Sequence, residues 1–460
     1  MSDFAGLGGL SPPPPLTGLR GPAIIPFVQR YQERRARGLN MNSGKMRLTR
    51  RDFCIQGSLA ALLPGALAGK LLAETQAQPL EAKAITRGPK HHFFGYYEKC
   101  PWDTSGRFHL ALETPFMDRM PRPADPVTVG MIDLAAENRF LPLDETLAWC
   151  WQMGTMLRWL PGADDRLITY NQREGEDFLS VIRDVRSGQV RKLPRPIYTL
   201  SPDGRYALTL NFARLARTRP GYGYDGGRDP WADQKRPVQD GIFRMDMATG
   251  DAGLVLSLDH AAGLRPKESM KTAEHWFNHI QINTDGSRFA VLHRWLPEGS
   301  KRWETRTLTA NPDGSDVFIL ADDGYWSHYD WLSPDRVLAH ARVGAASHYY
   351  LFTDRSTRTE VVSEGVLTTD GHCSFSPDRR WMLTDTYPDK ERKRALLLYR
   401  MPAGPRTDIG RFFAPPEIDG PTRCDLHPRW SRDGKTVSLD SAHEGSRQVY
   451  VLDVEKIVAG

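Results

Sequence analysis

The sequence predicts an all-β protein: a seven-bladed β-propeller of four-stranded antiparallel blades over residues 85–460. Three observations carry this expectation. After residue 80, helical periodicity is nearly absent, and short alternating apolar/polar runs dominate, broken by Asp-Gly, Pro-Asp and Ser-Gly turns. One unit, a strand that reaches such a turn and returns as a second strand, recurs along the chain. A unit of this kind cannot bury both faces of its sheet alone. Units must therefore stack, and radial closure leaves fewer open edges than a row of β-sandwiches would.

The repeat is clearest in "YTLSPDGRYALTL" (198–210), "IQINTDGSRFAVL" (280–292), "YDWLSPDRVLAHA" (329–341), "CSFSPDRRWMLTD" (373–385) and "PRWSRDGKTVSLD" (428–440). Weaker copies at 99–112 and 157–170 bring the count to seven. Each is followed by further strand-like runs, such as "GIFRMDMATGDAGLVL" and "VYVLDVEKI", which complete four strands per blade. The segment "LEAKAITRG" (80–88) is placed to lend a strand that closes the ring.

Ahead of the repeats lies an export signal. "MRLTRRDFCIQGSLAALLPGALAG" (46–69) has a basic start, the pair Arg50-Arg51 and a weakly apolar run too short to span a bilayer comfortably. It resembles a bacterial twin-arginine signal, so residues 46–77 are expected to direct a periplasmic or secreted protein and then be removed. Residues 1–45, Pro-rich and upstream of that signal, are expected to be a disordered leader or a misplaced start. Residues 1–77 hold ten Lys/Arg against four Asp/Glu, while the remainder holds 51 against 52. The near-neutral body gives no electrostatic reason to expect nucleic acid as a partner. Beyond the signal only Cys100, Cys150, Cys373 and Cys424 remain, too few and too scattered for a disulfide framework.

In a propeller the first strand of each blade runs along the central axis. Its start opens on the same face as the loops joining second to third strands. Six residues before the turn aspartate stand His279, His372 and His427, with Tyr329, next to His328, at that place in blade five. On the returning strands stand His293, Asp385 and Asp440. His372, Asp385, Cys424 and His427 form an N/O/S set of the kind zinc takes tetrahedrally, so a two-blade metal site is expected there. The alternative is a hydrogen-bonded polar belt with a free thiol. The longest insertion (211–241) carries Arg214, Arg217, Tyr222 and Tyr224, which suit an anionic, ring-shaped ligand, and Tyr198 is placed to approach Arg214. In "HHFFGYYEKCPWD" (91–103), His92 and Tyr96 are expected to face the axis, with Lys99 close by.

Several of these segments together, "HHFFGYYEKCPWD", "YTLSPDGRYALTLNFARL", "RPGYGY", "NHIQINTDGSRFAVLHRW" and "CDLHPRW", resemble the seven-bladed-propeller polysaccharide lyases. The likeness is to ulvan lyases and their relatives active on rhamnosyl-glucuronate, and more distantly to oligogalacturonate lyases. The resemblance implies β-elimination on a uronic-acid polysaccharide or oligosaccharide. Arg214 would bind the carboxylate, Tyr198 would act as base or acid, and His92 would assist. His279 and His293 would line subsites, and the metal would be structural. Where the family pattern places a second histidine, this chain has Leu112-Glu113, and Glu113 as an acid/base would suit hydrolysis instead. A non-catalytic propeller that binds glycan or protein is the third reading. Serine-hydrolase elbows, H-E-x-x-H and phosphate-binding glycine loops are absent.

Overall fold

The computed structural model describes residues 79–460. The expected export signal and leader lie outside the described residues. Seven four-stranded antiparallel sheets follow one another along the chain, the seven-bladed β-propeller that the repeats predict. The first strands of the blades are His91–Phe93, Arg158–Trp159, Thr199–Leu200, Glu274–Ile282, Trp326–Ser333, Ser374–Phe375 and Arg429–Trp430. The ring closes as expected. Lys83–Ala84 pairs antiparallel with Gln448–Asp453, so the start of the propeller supplies the outer strand of blade seven.

The recurring Ser-x-Asp turns have a shared mechanism. Ser201, Ser376 and Ser431 each donate their hydroxyl to the aspartate two residues on, at 2.7, 2.6 and 2.6 Å. The same hydroxyls accept the backbone N–H of Tyr206, Trp381 and Thr436 (3.1, 3.0 and 2.9 Å), which starts the second strand in register. Between blades, the alternating apolar residues interdigitate into a series of cores, including one of Phe93, Leu110, Leu112, Trp149 and Trp151.

Two additions to the regular blade matter for the site. Within the insertion of blade three, Phe212–Thr218 forms a helix, N-capped by Asn211, whose side chain accepts the N–H of Arg214 at 2.9 Å. In blade one, Gly95 (φ 121°) lets the chain turn across the channel immediately after its first strand. A Cβ there would sit 2.9 Å from the backbone of Met153, so only glycine fits. Asp440 of blade seven fixes this turn by accepting the N–H groups of Phe94 and Gly95, and Arg429 clamps it from behind.

Three buried histidines outside the channel stay neutral. Burial pushes His109 and His293 well below the ordinary imidazole range and His275 down to about 4. His275 and His293 share a hydrogen bond of 2.9 Å, and Arg306 donates to the far nitrogen of His293 at 3.0 Å. The unfolded chain takes up protons at these residues as the pH falls through about 6.5, whereas the fold takes them up only at lower pH. Stability is therefore expected to be greatest above about pH 6.5 and to fall as the pH drops below it. Each such histidine contributes a slope approaching about 1.4 kcal/mol per pH unit. Urea unfolding across the acidic range checks this, and stability independent of pH there contradicts it.

Candidate functional site

The Gly95 turn delivers Tyr96 and Tyr97 into the centre of the ring. Four imidazoles surround them, from the first strand of blade four, that of blade five and the segments leading into those of blades six and seven. The Tyr96 ring lies 5.0 Å from His279, 6.5 Å from His328, 6.0 Å from His372 and 5.0 Å from His427. His328 and His372 are 4.0 Å apart, and His372 and His427 are 4.4 Å apart, between ring centroids. His279 and His427 hold left-handed backbone angles (φ 52° and 41°), a strain that the surrounding strands impose. The Tyr198 hydroxyl accepts the N–H of His279 at 3.0 Å and keeps that residue in place.

On the blade six and seven side, His372, His427 and Asp425 bring one ligand atom each within 4.8 Å of one another. The Nε2 atoms of His372 and His427 are buried and have no partner. Asp385 accepts at the Nδ1 of His372 (2.8 and 3.0 Å), which leaves Nε2 as the lone-pair nitrogen aimed inward. Burial alone would lower His372, but Asp385 and then Asp425 more than reverse this, and its pKa lies above the ordinary value. His427 is pushed well below it by burial and by His372. Burial also opposes the charge on Asp425, yet Arg423 and Arg394 hold it ionised, down to about 2. Their ion pairs to its two oxygens measure 2.7 and 2.8 Å. Two unpartnered imidazole nitrogens, buried beside a carboxylate that two guanidinium groups hold ionised, fit a divalent cation.

A second imidazole is poised differently. Asp370 lies 3.1 Å from the Nδ1 of His328, and Ser327 donates to its other oxygen at 2.6 Å. Burial would raise Asp370, but His328 reverses this and holds it at about 2. With Nδ1–H directed at that carboxylate, the Nε2 of His328 presents a lone pair. The rim above is cationic and aromatic. Arg423 donates to the Tyr222 hydroxyl at 2.9 Å, Arg219 lies over Tyr222 and Trp303, and burial lowers Arg294 to about 10. Tyr387 completes the rim beside His328 and His372.

The structure gathers some of the sequence-predicted residues and separates others. Tyr96, Tyr222, His279, His372 and His427 meet in the well. Asp385 is near but sits behind His372. Cys424 does not join the group, since its side chain packs with Ile418 and Ala442, and burial pushes the thiol up to about 11. Neighbouring residues of an extended chain point opposite ways, and Asp425 takes the place expected for Cys424. All four described cysteines are free thiols.

Arg214 is corrected most sharply. It is 2% exposed and donates to the carbonyls of His275, Trp231, Gln234 and Lys235 and to Glu274 (2.6–3.2 Å), so it staples the insertion to blade four. No hydrogen bond joins it to Tyr198, whose ring is fully buried against Phe212. Arg217 is committed to Asp229 and Glu274 on the surface. Tyr224 stacks on Phe212 with its hydroxyl on Asn171.

His92 and Glu113 pair with each other (3.1 Å) in the groove between blades one and seven, with Gln448 and Lys90 as their other partners. A hydrolytic role for Glu113 across the well therefore has no geometric basis. His293 is locked inside blade four, and Tyr329 donates its hydroxyl to the carbonyls of His279 and Ala290. Lys99 pairs with Glu98 at the opposite mouth of the channel.

Sequence reasoning missed His328 as the ring member of blade five, and missed Asp370, Asp425, Arg294, Arg423 and Tyr387. One signal could have found two of them. Asp-x-His occurs at 370–372 and again at 425–427, and alternate residues of an extended segment share a face. His328 lies in a first strand whose register is shifted, and Arg294, Arg423 and Tyr387 come from a second strand and loops, whose placement no spacing encodes.

No family model matches the chain, and no curated protein matches it. Among solved structures it is similar to an oligogalacturonate lyase from Vibrio parahaemolyticus, with a TM-score of 0.57 and 14% identity over 83% of this chain and 95% of that one. An oligogalacturonate lyase in complex with manganese aligns with a TM-score of 0.59 and 15% identity, over 84% and 96%. TolB from Acinetobacter baumannii aligns more loosely, with a TM-score of 0.39 and 13% identity over 76% and 79%. At these identities the likeness is one of fold: a seven-bladed propeller of the architecture on which a lyase is built.

Proposed function

We propose that the protein is a metal-dependent lyase that cleaves uronic-acid-containing oligosaccharides or polysaccharides by β-elimination. The observation that carries this reading is the pair of buried, unpartnered Nε2 atoms of His372 and His427 facing Asp425, at the floor of a cationic and aromatic well. That a lyase of similar fold binds manganese supports it. Among the described residues no helix is long and apolar enough to cross a membrane. Export to the periplasm by the twin-arginine signal belongs to the same proposal.

The chemistry asks for three things: charge neutralisation at the C6 carboxylate, a base for the weakly acidic C5 proton, and an acid for the leaving oxygen. A divalent cation held by His372, His427 and Asp425 would supply Lewis acidity to the carboxylate. Arg423, Arg294 and Arg219 would orient the anionic sugar, replacing the role expected of Arg214. His328 accepts the C5 proton at Nε2, since Asp370 fixes its tautomer and supports the imidazolium that forms. Tyr96 supplies the proton to the leaving oxygen. Burial, and then the neighbouring Tyr222, keep its hydroxyl protonated far above neutral pH. Zinc was expected on account of a thiol ligand; with Cys424 turned away, the donor set is imidazole and carboxylate, which first-row divalent ions share.

The test is to incubate the protein with a panel of polyuronates and rhamnosyl-uronate polymers, with added manganese or zinc, and follow the ultraviolet absorbance of an unsaturated uronate. Elimination raises it. His328→Ala is expected to lower turnover by about 10²–10⁴-fold while metal content stays the same. New reducing ends without absorbance would instead identify a hydrolase, and neither signal across the panel a binding propeller.

A further inference from the structure

The channel has a second mouth, where the first strands end, and it is not part of the well described above. Tyr96 and Tyr97 divide the two. Below them a cavity of about 450 Å³ opens between the strand ends of six blades, with Glu98, Lys99 and Arg158 at its inner end. Two cations share a single carboxylate there. The side chains of Lys99 and Glu98 are 3% and 5% exposed and pair with each other, and the Lys99 ammonium also lies 5.7 Å from the centre of the Tyr96 ring. Arg158 spends one nitrogen on the carbonyl of Tyr198 (3.0 Å), and its buried Nε has no partner. Glu98 Oε2, Gln281 Oε1 and Ser374 Oγ, all on residues lining the cavity, are likewise buried without partners.

Charge and polarity agree on what is missing. Farther out, Arg379 faces Asp330 at 3.6 Å, which balances that pair, while Arg432 adds a further positive charge at the rim. The inner end therefore carries one uncompensated positive charge in a dehydrating environment, a costly arrangement without an anion. Burial lowers Lys99 to about 8 and Arg158 to about 10, with Glu98 opposing both, as expected of cations short of counter-charge. The hydroxyl of Ser374 and the amide oxygen of Gln281 add hydrogen-bonding capacity suited to an alcohol. Trp331, Trp430 and Phe375 on the cavity walls offer apolar faces to C–H groups.

We propose that this lower mouth is a second binding site, for a small hydroxylated carboxylate of the size of a single sugar acid. Its carboxylate is held by Arg158 and Lys99, and its hydroxyls by Ser374 and Gln281. The site shares no residue with the metal triad or with the His328–Asp370 pair, so it stands or falls independently of the lyase reading.

The test is calorimetric titration of the whole protein, in the presence of a chelator, with glucuronate, and with glucose and inorganic phosphate as controls. Saturable glucuronate binding at the lower mouth is expected, weakened at least tenfold by Arg158→Met and by Lys99→Met, and retained in His372→Ala. Glucose is expected to bind at least tenfold more weakly. Arg158→Lys, which keeps the charge, is expected to recover part of the affinity, and melting curves establish that each variant is folded.

Binding lost in His372→Ala and kept in Arg158→Met would place the ligand in the upper well and overturn the proposal. Equal binding of glucose, binding of phosphate in preference to glucuronate, or no saturable glucuronate binding would overturn it as well.

Discussion

Replacing His427 with alanine is expected to abolish divalent-metal binding and with it the proposed lyase activity, while the propeller remains folded. His427 contributes one of the three donor atoms that lie within 4.8 Å of one another, and its Nε2 has no other partner to lose. A graded series follows from the geometry. Asp385 does not reach the inward face but fixes His372 through Nδ1, so Asp385→Asn should weaken metal affinity by about 10–100-fold without abolishing it. Asp425→Asn should fall between the two, since it removes the charge and retains an oxygen. Cys424→Ala, which the sequence alone marked as a ligand change, should leave metal content unaltered because the thiol packs against Ile418 and Ala442. Elemental analysis after gel filtration, alongside turnover with added metal, reads the series. Loss of metal in Cys424→Ala with retention in His427→Ala contradicts it.

Arg214→Ala is the second large effect, and it falls on stability rather than on chemistry. The guanidinium is 2% exposed and satisfies four backbone carbonyls and Glu274 at once, joining the insertion to blade four. Removing it leaves those carbonyls without this donor and Glu274 without the shorter of its two ion pairs. Breaking a buried pair in this way costs about 3–5 kcal/mol. Arg423→Ala, by contrast, removes a rim guanidinium that touches Tyr222 and Asp425, and should raise KM for an anionic substrate with a smaller loss of stability. Denaturant unfolding of both variants, together with steady-state kinetics, separates the two roles. If Arg214→Ala unfolds like the parent and loses only substrate affinity, the staple assignment fails.

The ring could be read from the chain because its logic is local and repeated: a tight turn with alternating strands either side, seven times over, marked in four blades by a serine and an aspartate two residues on. The inward histidines of blades four, six and seven could be read for the same reason, being tied to a fixed count from that turn. What escaped was anything a count does not fix. Arg214 looked like a ligand-binding guanidinium because its charge is visible in sequence, whereas the carbonyls of Trp231, Gln234 and Lys235 that consume it are set by how the insertion folds back. Cys424 and Asp425 differ by one position, and on extended backbone one position reverses a side chain. His328 was displaced from the expected register by a bulge between Trp326 and Tyr329, so the imidazole, not the phenol, entered the well. His92 and Glu113 sit opposite each other in the first hairpin, but that hairpin turns the pair into the groove beside blade seven.

The central claim is that the channel binds a divalent cation on blades six and seven. An anomalous-difference map from crystals soaked in manganese tests it most directly. A single strong peak within bonding distance of His372 Nε2, His427 Nε2 and an Asp425 oxygen is the expected result. A peak elsewhere, or none at a concentration that saturates activity, contradicts it.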